Sequence, residues 1–97
     1  MSKFYITTPI YYTNGDPHIG SAYPTIACDV LARYHRLKGD DVWFLTGADE
    51  HGAKMAETAE KAGKSPQEFC DETAAKYMEC WDELNISNND FILLVAL

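Results

Sequence analysis

Two short stretches of this chain carry residue types that can do chemistry: Pro17-His18-Ile19-Gly20-Ser21 and Ala48-Asp49-Glu50-His51-Gly52. In the first, a histidine stands two residues before a glycine where a long amphipathic segment begins. Glycine has no Cβ, so a flat base or a phosphate can approach its backbone closely. An imidazole there can donate to phosphate oxygens, and a helix N-terminus adds partial positive charge. The plainer reading is a histidine capping a helix with a glycine in the turn, and on three residues alone that reading wins. In the second stretch, Asp49 can hold an ammonium group, with Glu50 or His51 steadying the loop by hydrogen bonds. Equally, Asp49 or Glu50 can simply cap a following helix.

The elements around these stretches must bring them together. Phe4 to Ile10 reads FYITTPI, rich in β-branched and aromatic residues, which predicts a strand over Lys3–Thr8. Its near-continuous apolarity suits a parallel sheet covered on both faces. Ile10 to Pro17 is expected to be a loop with a turn at Asn14-Gly15-Asp16-Pro17. Tyr11 and Tyr12 in it either wall a pocket or cover the end of the sheet. From Ile19 to Lys38, apolar residues recur at helical spacing (Ala22, Tyr23, Ile26, Ala27, Val30, Leu31, Tyr34, Leu37), so this stripe is expected to face the core. Pro24 fits only if it falls in the first turn. Gly39 ends the helix.

Asp41 to Gly47 reads DVWFLTG, a second buried strand. Strand, helix and strand make a right-handed βαβ unit. Both chemistry-bearing stretches then follow the carboxyl ends of parallel strands, where open α/β sheets bind ligands. A second helix is expected over Gly52–Ala62, stopped by Gly63. Ser65-Pro66-Gln67-Glu68 opens a third, running to about Leu84 with Phe69, Thr73, Tyr77, Trp81 and Leu84 on one face. Asn85 to Asp90 is turn-like. Phe91 to Leu97 reads FILLVAL, a buried strand or, if uncovered, a self-association liability.

Ninety-seven residues make one domain at most. A formal net charge of -7 argues against nucleic-acid binding by bulk electrostatics. Cys28, Cys70 and Cys80 form no CxxC pair, which reads as reduced thiols in a cytoplasmic protein. Zinc is disfavoured, because ten positions separate Cys70 from Cys80 and no histidine lies near them. No apolar run is long enough to span a membrane, and the start lacks a signal-peptide core. Cys28, Trp43, Met55 and Met78 are read as packing residues.

Thr7-Thr8-Pro9-Ile10-Tyr11-Tyr12, Pro17-His18-Ile19-Gly20, Asp29 to Arg36 (DVLARYHR), Phe44-Leu45-Thr46-Gly47 and Asp49-Glu50-His51-Gly52 closely resemble, in order and spacing, the amino terminus of bacterial methionyl-tRNA synthetases, which are class I aminoacyl-tRNA synthetases. The resemblance runs from about Lys3 to Ile92. It implies an α/β fold: the amino-terminal part of a Rossmann-like (HUP-type) parallel-sheet domain, with a βαβ core and two further helices. It implies ATP, with Mg2+, as the substrate that activates methionine, pyrophosphate as product, and tRNA as acceptor. By match of position, Ile10 and Tyr12 would line the methionine pocket and Asp49 would hold the α-ammonium. His18, Gly20 and Ser21 would bind ATP as the HIGH signature, His18 and Ser21 as its catalytic pair. No metal ligands are implied.

The chain departs from the family pattern in four places. Ser21 replaces the closing histidine of the signature, and losing one transition-state donor typically costs on the order of 10²–10³ in rate. Pro24 replaces a threonine. Ala48 and Ala53 replace polar residues. After Ile92 the run 93–97 is off-pattern, so residues 1–92 are taken as the incomplete catalytic domain and 93–97 as an apolar tail. The lysine-rich KMSKS loop, the connective domain and the anticodon-binding domain of the family have no counterpart here. The expectation is therefore a marginally stable ligase fragment, inactive alone, with tRNA reached only through the missing regions. The alternatives are a non-enzymatic ATP- or methionine-binding module that completes another chain or self-associates through Phe91–Leu97, and the product of a broken gene.

Overall fold

The structure is a computed structural model that describes residues 2–12, 15–50 and 53–95. Its elements, in order, are β1 (Lys3–Thr7), β2 (Tyr11–Tyr12), α1 (Ile19–Leu37), β3 (Asp41–Glu50), α2 (Ala53–Lys61), α3 (Pro66–Glu83) and β4 (Asp90–Val95). This is the expected α/β arrangement, a βαβ unit followed by two helices and a further strand. Thr13, Asn14, His51, Gly52, Ala96, Leu97 and the side chain of Met55 lie outside the described residues, so part of the expected turn, half of the DEHG segment and the last tail positions do too.

All strand pairings are parallel and all involve β3. Leu45 pairs with both Thr7 and Asp90, and Ala48 with both Tyr11 and Leu93. A strand residue has only two edges, so β1 and β2 share one side of β3 and β4 takes the other. Thr7 aligns with Leu45 and Tyr11 with Ala48. Four steps along the first strand thus match three along β3, which is a bulge. Pro9, with no N–H to give the ladder, sits in it. Thr8 anchors the bulge: its N–H donates to Leu45 C=O at 3.1 Å, and its hydroxyl pairs with that of buried Thr46 at 2.7 Å.

Two sequence expectations are corrected here. Tyr11–Tyr12 belongs to the sheet rather than to a loop. The second strand does not stop at Gly47 but runs on to Glu50, so Asp49 is a strand residue facing Tyr12 across the ladder.

The third correction concerns α1. Its buried positions are Ser21, Thr25, Asp29 and Ala32, with Cys28 packed against the core. Tyr23, Ile26, Ala27, Val30, Leu31, Tyr34 and Leu37, expected inside, are exposed. Both sets repeat at helical spacing, so periodicity alone could not choose between them. The small polar set wins because it allows close approach to the sheet and because its members are bonded. Asp29 accepts from Ser87 N–H and Arg33 Nε, each at 2.8 Å. Pro24 is the sixth residue of α1, beyond the first turn. It therefore removes one i→i−4 bond. Next to it, Thr25 Oγ1 donates to Ser21 C=O at 2.8 Å.

The helices end as the sequence implies. Gly39 (φ 88) and Gly63 (φ 71) take the left-handed conformation beyond α1 and α2, and Asn85 (φ 56) does the same beyond α3. The core is Ala32, Val42 and Phe44, with Phe4, Ile6, Cys28 and Ile86 against it. Side chains alternate across a strand, so the register neighbours Tyr5 and Trp43 point to the opposite face, where both are exposed. The molecule is 16 Å across its thinnest dimension, room for a sheet and one layer of helices.

Candidate active site

The site is built from the bulge, β2 and the start of α1. His18 is the N-cap residue of α1, in extended conformation (φ -145, ψ -178). Its Nδ1 accepts from Gly20 N–H at 3.0 Å. An imidazole that accepts at Nδ1 carries its proton at Nε2. His18, whose side chain is exposed, therefore offers an Nε2–H donor to whatever enters.

Gly20 makes this possible. A Cβ there would lie 2.7 Å from His18 Cε1 and 2.9 Å from Nδ1, so any larger residue would push the ring off the first turn. Ser21 completes a capping box. His18 N–H donates to its Oγ at 3.2 Å, and Oγ donates to His18 C=O at 2.9 Å. Ser21 is only 4% exposed, so its hydroxyl is a structural member of the helix start.

A cleft of ≈ 240 Å³ opens over this start, lined by Tyr11, Tyr12, Gly15, Asp16, His18, Gly20, Ser21 and Tyr77. Four of the expected site residues (Tyr12, His18, Gly20, Ser21) are thus brought to one place. Asp49 and Ile10 do not line the cleft; Asp49 sits beside it on β3, opposite Tyr12. Asp49 and His18 both lie toward the carboxyl edge of the parallel sheet, as βαβ topology leads one to expect.

Sequence reasoning gave Tyr77 only a core role. In the structure it lines the cleft, and its ring stacks on Tyr11 at 5.9 Å with 12° between planes. Trp81 packs edge-on to both. Burial raises the pKa of both phenols. The hydrogen bond between the Tyr11 and Thr25 hydroxyls, at 2.8 Å, partly offsets this for Tyr11. Both therefore stay neutral hydroxyls at ordinary pH. A phenol among the apolar positions of α3 was the available signal. Asp16, at the cleft rim, pairs with Lys76 at 2.9 Å. Among the described residues, no group of three or more His, Cys, Asp or Glu could hold a metal ion.

A parallel sheet with a capped first helix at its carboxyl edge is the architecture of Rossmann-like α/β folds, and a family comparison says which. The model of the class I tRNA synthetases described as "tRNA synthetases class I (M)" matches residues 4–94, and the chain belongs to that family. The relatives it resembles are methionine–tRNA ligases. That of Thermotoga maritima is 63% identical over 90 residues, 93% of this chain. That of Streptococcus pneumoniae is 61% identical over 90 residues. The chain spans about 14% of the length of either relative. The crystal structure of Mycobacterium tuberculosis methionyl-tRNA synthetase bound by methionyl-adenylate superimposes with a TM-score of 0.93 at 42% identity, covering 95% of this chain and 18% of that one. The α/β nucleotide fold and the family expected from the motifs are thereby established.

Proposed function

We propose that the cleft over the start of α1 is the ATP side of a methionine-activating site, and that the chain supplies this part of a methionine–tRNA ligase. The observation that carries it is the His18–Gly20 geometry: an Nε2–H donor, a bare glycine and a helix N-terminus facing one cleft beside Tyr12 and Asp49. ATP phosphates would lie over Gly20 with His18 donating to them, and Mg2+ would arrive with ATP as part of the substrate. Ile10 and Tyr12 would wall the methionine side chain. Asp49 would pair with the α-ammonium group, which orients the carboxylate toward the α-phosphorus. Attack there forms methionyl-adenylate and releases pyrophosphate. Ser21 contributes through the cap rather than as a charged donor. Transfer to tRNA needs regions with no counterpart in the 97 residues. Cytoplasmic residence follows from that role; no helix among the described residues is long and apolar enough to cross a membrane.

The chain by itself is expected to bind MgATP and methionine weakly, without turning them over. Calorimetry measures the first, and methionine-dependent ATP–pyrophosphate exchange the second. Absence of ATP binding would sink the site assignment, and robust exchange would overturn the inactivity. A second reading, a module that completes another chain, is favoured by one observation: the exposed apolar side of α1, where Ile19 and Leu37 are 83% and 88% exposed. Under it the isolated protein would bind neither ligand but would co-purify with a relative lacking the corresponding segment.

A further inference from the structure

A cleft that takes a polyphosphate is poorly served by an unopposed negative charge on its wall. Among the described residues that line the cleft over the start of α1, Asp16 is the one with a full formal charge, and that charge is negative. His18 accepts at Nδ1 there as a neutral ring. Asp49 on β3 adds a second carboxylate beside the cleft, in a chain whose formal net charge is -7.

A cation meets Asp16 at this rim. Lys76 Nζ donates to Asp16 Oδ1 at 2.9 Å, from 60 positions away in the chain. The setting of α3 brings it there. Tyr77, the next residue, is buried and stacks on Tyr11 at the cleft wall, so Lys76 leaves the same turn of helix at the cleft edge. The two side chains are 57% and 73% exposed. An exposed pair of this kind adds little to stability, but it changes the field at the mouth of a cleft.

We propose that Lys76 prepares the cleft for a polyanion: paired with Asp16, it cancels the charge on the lining and so admits the triphosphate of ATP. Lys76 is a positioning residue that acts through Asp16 and does not touch the reacting atoms. This rests on the reading of the cleft as the ATP side of the site.

The test is calorimetric titration of the 97-residue protein with MgATP at two salt concentrations. Lys76→Met keeps the side-chain stem and removes the charge. At about 10 mM salt, where charges act over about 30 Å, it should raise Kd roughly three- to fivefold, the size of one unit charge acting through a few ångströms of water. Near 1 M salt, where the screening length is about 3 Å, the difference should vanish. Lys76→Arg should bind as the natural protein does. So should Lys64→Met, which removes the same charge from a lysine paired with Glu72 instead. Asp16→Asn should bind at least as tightly as the natural protein, and the double variant Lys76→Met/Asp16→Asn should return to the natural Kd. These side chains are exposed, so the melting temperatures should hardly change. An unchanged Kd in Lys76→Met, a loss that survives high salt, or a double variant as weak as Lys76→Met would overturn the proposal. Weaker binding by Asp16→Asn would overturn it too, because the carboxylate would then be serving the ligand directly. If the natural protein binds no MgATP, the cleft reading falls and the proposal with it; if it binds and the variants match it, the proposal alone falls.

Discussion

Gly20 carries two demands at once. Its N–H must reach His18 Nδ1, and the imidazole must lie where a Cβ would be. Gly20→Ala should therefore displace the ring, lose the cap and cost about 1 kcal/mol of stability, the usual worth of an N-cap. Thermal melts would show it, and MgATP affinity should fall with it. His18→Ala should weaken MgATP binding similarly while leaving the sheet intact, as far-UV circular dichroism would report. The two phenols at the cleft are stable donors because burial disfavours their ionised forms. The aromatic group Tyr11, Tyr77 and Trp81 thus packs the cleft wall without adding charge to it.

At the scale of elements, the carboxyl edge of the sheet depends on how β4 is seated. Gly47 allows it: an added Cβ would meet the Ile92 carbonyl and side chain of β4. Backbone cannot step aside as a side-chain tip can, so Gly47→Ala should destabilise by about 1–3 kcal/mol, the range for overpacking. The lead-in to β4 is tied to α1. Asp29 accepts from Ser87 N–H at 2.8 Å, Arg36 donates to Ser87 Oγ and C=O at 2.6 and 3.0 Å, and Asn89 Oδ1 accepts from Phe44 N–H at 2.8 Å. For Asp29, burial is the largest influence and opposes ionisation, yet the bonds from Ser87 and Arg33 together outweigh it and lower the pKa.

A carboxyl depressed in the folded state stabilises above its unfolded pKa, about 3.9, and the contribution disappears as pH falls through the folded value. Urea melts from neutral pH downward should show stability falling below about pH 4. Asp29→Asn should be less stable at neutral pH and lose part of that acid dependence. An unchanged acid limb in Asp29→Asn would contradict the role assigned to this carboxylate.

For the whole molecule, the decisive feature is what remains uncovered. A parallel sheet is ordinarily covered on both faces. Here Tyr5 and Trp43 are 61% and 48% exposed on the face away from α1, and the outer side of α1 shows Tyr23, Val30 and Leu31. Apolar patches on this scale mark contact surfaces or aggregation sites. Light scattering should find concentration-dependent association, and the pair Val30→Glu, Leu31→Glu should reduce it. A strictly monomeric natural protein at high concentration would refute this.

That Tyr12, His18 and Gly20 would come to one edge of the sheet was legible because turn residues, caps and periodicity act over a few positions, whereas Asp49 lies beside their cleft on β3. The same locality placed the helix ends at Gly39 and Gly63. What the linear chain could not decide was direction and partnership. The apolar stripe of α1 and its small polar stripe have the same period, and only docking on the sheet showed that Ser21, Thr25 and Asp29 go inside, since their hydrogen-bond partners are supplied by packing, some from distant residues such as Ser87. The bulge at Pro9 became visible only when β3 supplied a register to measure it against. Tyr77 lines the cleft because its ring stacks on Tyr11 of β2, 66 residues away in sequence (77 minus 11). The family, and the cap that holds His18 through Gly20 and Ser21, were thus determined by short-range pattern, whereas the faces and the register were decided by long-range packing, which no local spacing encodes.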